Sequence, residues 1–166
     1  NMNVTPGRID WGDVKLLPNE RESEFVRFRL LAGDIVLSLD RPFISTGTKV
    51  ARLSSGDVPA LLLQRVGRFV IDQEKLDADF LFTWLQSPRF DEQVNPGRSN
   101  GVPHISSKDI DNCLFWLPSL AEQRRIVERV EEAMALCDNL EDHLGATTAL
   151  TERSLNALLE QVLSQD

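Results

Sequence analysis

Apolar residues in the first two thirds of the chain fall in short runs separated by glycine, proline and acidic residues. In the last third they recur at a helical interval instead. Residues 1–30 are polar and weakly patterned, with a short strand predicted over 26–30. Gly33-Asp34 breaks the chain, and the run IVLSL at 35–39 predicts a buried strand. Pro42 and Gly47 make 40–48 a loop; KVARL at 49–53 then alternates polar and apolar positions, as a half-exposed strand does. Residues 54–59 form a turn, and ALLLQRVGRFVI at 60–71 is the longest strand-like stretch. Asp77 or Asp79 caps a helix running to Gln86, with Phe80, Leu81, Trp84 and Leu85 on its apolar face. Pro88 breaks that helix, and 90–94 adds a further helical turn or two. The stretch NPGRSNGV at 95–102 has the richest turn composition and predicts an exposed, adjustable loop. Ser106 and Asp109 fit a capping box for a short helix, and CLFWL at 113–117 predicts a buried strand or an extended lead-in ended by Pro118.

Ser119 and Glu122 form a second capping box, and no proline follows before Leu163. The apolar series Ile126, Val130, Ala133, Cys137, Leu140 and Leu144 steps by four and three, the spacing of a helix seam. Leu155, Leu158 and Val162 continue it in a phase that meets the first at a stutter near Gly145. One continuous helix here would be ~65 Å long. The preceding body would have a radius of gyration of only ~13–14 Å, so the stripe calls for a second helix. The alternative is a hairpin that breaks at Gly145, with Thr147 or Thr148 capping the second arm.

Composition narrows the class. The 166 residues carry a formal net charge of −8 and are 42% hydrophobic, which suits a globular chain rather than a disordered one. No run approaches the about 20 apolar residues of a membrane span, and the first residues do not read as a secretory signal. With Cys113 and Cys137 the only cysteines and His104 and His143 the only histidines, no ligand-spaced zinc cluster exists. The simplest reading is a cytoplasmic, metal-free protein, and Asn1 ahead of Met2 suggests that the natural start lies elsewhere.

The acidic total is unevenly spread. Most of the excess lies in residues 118–166, whereas residues 41–71 hold Arg41, Lys49, Arg52, Arg65 and Arg68 against Asp57 alone. A local basic face of this kind is compatible with nucleic-acid binding, although charges scattered over strand exteriors are the plainer reading. Enzymatic chemistry finds little support: no phosphate-cradling glycine loop, serine elbow, HExxH or CxxC is present. Asp91-Glu92 reads as solvated helix surface. His104 is open to three roles, as a general base, a base-edge donor or a structural hydrogen-bonding group.

Six segments together resemble the specificity subunit of type I restriction-modification enzymes. They are LAGDIVLS at 31–38, LDRPFISTGTKVARL at 39–53, DVPALLLQRVGRFV at 57–70, FLFTWLQSPRF at 80–90, GVPHISSKDI at 101–110 and WLPSLAEQRRIVERVE at 116–131. The last is the most specific, and the resemblance runs from about Leu31 to the C-terminus. It implies an α/β (α+β) fold: a small mixed-sheet target-recognition domain over 1–117, N-terminally truncated, then a helical spacer over 118–166 that pairs as an antiparallel coiled coil. One such unit stands here where the family has two, so a second specificity half or a self-dimer would complete it. The implied partners are double-stranded DNA, the modification (methyltransferase) subunit and the restriction subunit, with no membrane. S-adenosylmethionine, ATP and Mg would serve those subunits, and this chain would bind no cofactor and catalyse nothing.

A reader of duplex DNA needs Arg or Lys for phosphates and guanine edges, and Asn, Gln or His for other edges. Candidate DNA contacts are Arg41, Thr46, Thr48 and Lys49 around the first loop, and Arg98, Ser99, Asn100 and His104 around the second. Arg65 and Arg68 on the intervening strand, and Ser106 and Lys108 at the short helix start, complete the set. Gln64 reads equally well as a buried structural amide. The helix-pairing candidates are Ile126, Val130, Cys137, Leu140, Leu144, Leu155, Leu158 and Val162. The competing class is an adaptor whose head binds protein and whose helix oligomerises. For Arg98→Ala the expected outcome is a loss of roughly 1–3 kcal/mol in binding to the cognate duplex only, measured by titration against cognate and scrambled DNA. An equal loss on both would make Arg98 a phosphate contact, and no loss on either would remove the loop from the site.

Overall fold

The computed structural model describes residues 3–94 and 104–163, with side chains described through Asn156. The chain divides into two compact units, Asn1–Arg124 and Arg125–Asp166.

The first unit is built on the strand that the apolar run predicts. β4 (Ile35–Ser38) is buried at every position and lies between β7 (Val50–Arg52) and β9 (Val66–Arg68), antiparallel to both. Its register pairs Leu37 with Val50 on one side and with Gly67 on the other. Because successive side chains leave a strand on opposite faces, Ile35 and Leu37 enter one core while Val36 enters another. Full burial of each such side chain stabilises the fold by about 1.5–3 kcal/mol.

The first core is closed by helices α1 (Ala78–Leu85) and α2 (Pro88–Val94), which contribute Leu81, Leu85, Phe90 and Val94. Asp77 caps α1 as expected, its carboxylate accepting from the amides of Asp79 and Phe80. The second core is closed by Val4 and Leu30. Val4 belongs to a hairpin, β1 (Val4–Thr5) and β2 (Arg8–Ile9), that the weakly patterned N-terminal sequence concealed. The hairpin is pinned where the Gly7 amide donates to the Val50 carbonyl.

Three expectations are corrected. The strand predicted over 26–30 shrinks to β3 (Arg29–Leu30), because 3-10 turns occupy Asn19–Phe28. The long strand predicted over 60–71 is two strands, β8 (Ala60–Leu61) pairing with β3 and β9 pairing with β4. Between them the chain turns at Arg65, which has a φ of 67°. Gln64 is exposed at this turn, so it is no buried amide. Of the two forms expected for 113–117 the segment takes the extended lead-in: Phe115 stacks on Phe80 and packs on Trp84, while Leu114 and Trp116 are exposed. Gln93 completes the local hydrogen bonding, donating to the Leu114 carbonyl and accepting from its amide at 2.8 and 2.7 Å. A small hairpin, β5 (Phe43–Ile44) and β6 (Gly47–Thr48), also shapes the predicted loop at 40–48.

Helix α3 (Ser107–Asp111) starts at the predicted capping box. Helix α4 (Leu120–Leu163) is one uninterrupted helix, so the break at Gly145 does not occur. The hydroxyls of Thr147, Thr148 and Thr151 donate to carbonyls four residues back, which spends them inside the helix rather than on a cap. The first turn of α4 belongs to the first unit through Gln123, whose side chain is fully buried. Its amide oxygen accepts from the Asp77 amide at 2.7 Å, and its amide nitrogen donates to the carbonyls of Lys75 and Pro118, both at 2.8 Å. For Gln123→Ala we expect a loss of roughly 1–3 kcal/mol, because three part-buried backbone groups lose their partner. Denaturant unfolding checks this, and a change within 0.5 kcal/mol or so would show that water replaces the side chain.

Candidate nucleic-acid interface

Past Ser38 the chain leaves the core and presents Asp40 and Arg41. The Asp40 carbonyl is held by the Ser38 hydroxyl at 2.9 Å, so the exit from β4 is locally fixed. Three other segments meet there. Arg65 arrives on the turn before β9, its amide carbonyl accepting from the Leu39 amide at 2.9 Å. Lys49 arrives between β6 and β7, its amide donating to the Pro42 carbonyl at 2.6 Å. His104 arrives ahead of α3, bridged to Asp40 and followed by the buried Ile105, whose amide donates to the Leu39 carbonyl at 3.0 Å.

The side chains converge as the backbones do. His104 Nδ1 lies 2.6 Å from Asp40 Oδ1, and an Arg65 guanidinium nitrogen lies 3.8 Å from the same oxygen. Lys49 Nζ donates to the Asp40 carbonyl at 3.4 Å. Partial burial draws the Lys49 ammonium below the ordinary lysine range, while Asp40 pulls it upward and Arg41 pushes it further down. Arg41 and Arg65 both take positive φ, at 46° and 67°, so two arginines sit on left-handed turns beside one carboxylate. His104 and Arg65 keep 53% and 54% of their side-chain surface open. The arrangement offers several cationic or polar tips at one end of a rigid strand, which suits contacts with phosphates and base edges.

Not every candidate joins this cluster. Thr46 is exposed at the tip of the β5–β6 hairpin. Thr48 is buried, with 6% of its surface exposed. Arg68 turns the other way, donating to the Arg29 carbonyl at 3.0 Å and lying 3.6 Å from Asp34. Arg52, on the far edge of the sheet, pairs with Asp79. Ser106 spends its hydroxyl and amide on the Asp109 carboxylate, at 2.8 Å each, so the anion at this helix start is the protein's own. Lys108 is exposed on α3. Arg98, Ser99 and Asn100 lie outside the described residues. Nothing local in the sequence links position 40 to position 104, so the place of Asp40 in this cluster is visible only in the fold.

Other chemistry is sparse. An apolar hollow of about 230 Å³ is lined by Trp84, Phe115, Cys113 and neighbours. Burial, and then Asp109, push the Cys113 thiol above its usual range, which opposes a nucleophilic thiolate. Among the described residues no group of three His, Cys, Asp or Glu side chains could hold a metal ion, and no helix is long and apolar enough to cross a membrane. On α4, Val130, Cys137, Leu140, Leu144 and Leu155 are exposed, and Ile126 is half-buried. Leu158 and Val162 lie beyond the described side chains.

No protein-family model matches the chain. The fold is that of solved type I specificity subunits: the HsdS subunit from Thermoanaerobacter tengcongensis matches with a TM-score of 0.58 at 24% identity, over 68% of this chain and 29% of that one. A chain from a structure concerned with complex assembly and conformational transition of the type I R-M system matches with a TM-score of 0.59 over the same shares. In sequence, the chain is 42% identical over 164 residues to the Type I restriction enzyme EcoAI specificity subunit of Escherichia coli, covering 94% of this chain and 28% of that protein. It is 38% identical over 130 residues to the MjaVIII specificity subunit of Methanocaldococcus jannaschii, covering 78% of this chain and 31% of that protein. The chain thus resembles the specificity subunits of type I restriction enzymes over nearly its whole length, and it spans less than a third of each of these two relatives.

Proposed function

We propose that this chain recognises one half of a split site in double-stranded DNA, as part of the specificity subunit of a type I restriction-modification complex acting in the cytoplasm. The convergence of Arg41, Lys49, Arg65 and His104 on the end of β4 carries this reading, since it concentrates DNA-compatible groups on a chain whose net charge is negative. The likeness to specificity subunits supports it independently. Methyl transfer, translocation and cleavage then fall to the modification and restriction subunits, which would use S-adenosylmethionine, ATP and Mg. This chain supplies recognition and docking and no catalytic group.

The test is the salt dependence of duplex binding. The full chain is expected to lose affinity steeply as salt rises, with a linear log–log slope. Arg41→Ala should lower that slope by about 0.9 if Arg41 neutralises one phosphate, as fluorescence anisotropy over a salt series would show. Binding insensitive to salt would favour the adaptor reading.

The exposed apolar stripe of α4 is the docking face for a second helix, from another copy of the chain or from the second unit of a longer subunit. Sedimentation of the full chain should show a concentration-dependent dimer that Leu140→Glu combined with Leu144→Glu abolishes. A strictly monomeric wild-type chain at high concentration would leave only a helix supplied by the longer subunit.

A further inference from the structure

A carboxylate at the centre of a phosphate-binding cluster is costly, because it repels the polyanion that its neighbours attract. Asp40 holds that position here, with Arg65 and His104 on its carboxylate and Lys49 on its carbonyl. If nothing more than mutual neutralisation were involved, an uncharged residue at position 40 and fewer basic groups would serve equally well. The hydrogen-bond geometry gives a more specific role. An ionised carboxylate only accepts, so His104 Nδ1, 2.6 Å away, must carry a proton and donate it. That leaves Nε2 as the ring's other polar atom, on a side chain that is half exposed. Nε2 is then the ring atom that can meet a base edge in the major groove. The main-chain bridge between Asp40 and His104 and the buried Ile105 hold the two residues in register.

We infer that Asp40 is a positioning residue for sequence reading: it orients His104 so that Nε2 addresses one base edge, and it gives up non-specific affinity in doing so. This rests on the DNA-reading assignment above.

The test is selection of bound duplexes from a library with a randomised central tract, followed by titration of the chosen sequences and of the unselected library. His104→Ala should relax the choice at one base-pair position. Asp40→Ala should relax the same position and bind the unselected library several-fold more tightly at low salt. Asp40→Asn, which keeps an acceptor for the Nδ1 proton, should restore the choice while retaining the tighter library binding. The inference fails if Asp40→Ala keeps the wild-type choice, relaxes a different position from His104→Ala, or is not rescued by Asp40→Asn. If Asp40→Ala does not fold, Asp40→Asn decides through the library: tighter binding supports the inference, unchanged binding overturns it. Enrichment of no sequence by the wild-type chain would instead sink the DNA-reading assignment.

Discussion

Burial of β4 on both faces is the constraint from which the first unit follows. A strand covered on one face can slip by two residues at modest cost, but Ile35 and Leu37 enter one core while Val36 enters another. Any shift would place the wrong side chain in each, so the register with β7 and β9 is over-determined. The same register fixes where the strand stops. It delivers Asp40 to one point, and the neighbouring strands bring Lys49 and Arg65 to its two sides. The candidate interface is therefore a by-product of the most buried segment, which is how a scaffold holds polar tips steady without burying them.

Sequence patterning exposed the parts of this design that are local. The run at 35–39, the Asp77 cap, the capping box at Ser106 and the uninterrupted helix after Ser119 each depend on residues within a few positions of one another. Parity misled where a turn was hidden inside an apolar run: Leu61 to Leu63 continue the strand pattern up to Arg65, and only its left-handed backbone shows the reversal. The N-terminal hairpin escaped because two-residue strands carry too few positions for a period. At the interface, Arg41, Lys49, Arg65 and His104 were legible as residue types. Their meeting point on Asp40 was not, since it depends on pairing 64 residues apart. Charge counting also overstated the basic face, because Arg52 and Arg68 are bound to Asp79, Asp34 and the Arg29 carbonyl.

The stripe on α4 shows how two periodicities can be reconciled. With Thr148 and Thr151 as the seam positions between Leu144 and Leu155, the seam from Ile126 to Val162 averages 3.6 residues per step, which is the repeat of the α-helix itself. A strict heptad would drift around the helix and force a supercoil, whereas the stutter resets the phase. Gly145 has open space where a Cβ would stand, so close packing within the chain does not require a glycine there.

Gln123 has a consequence for how the molecule tolerates its surroundings. The root of the long helix is fastened by a neutral carboxamide making three hydrogen bonds, and such a clamp neither titrates nor weakens in concentrated electrolyte. The charged cluster beyond β4 is governed by the opposite physics. Ionic conditions strong enough to screen that cluster would thus leave the hydrogen bonds of Gln123 in place.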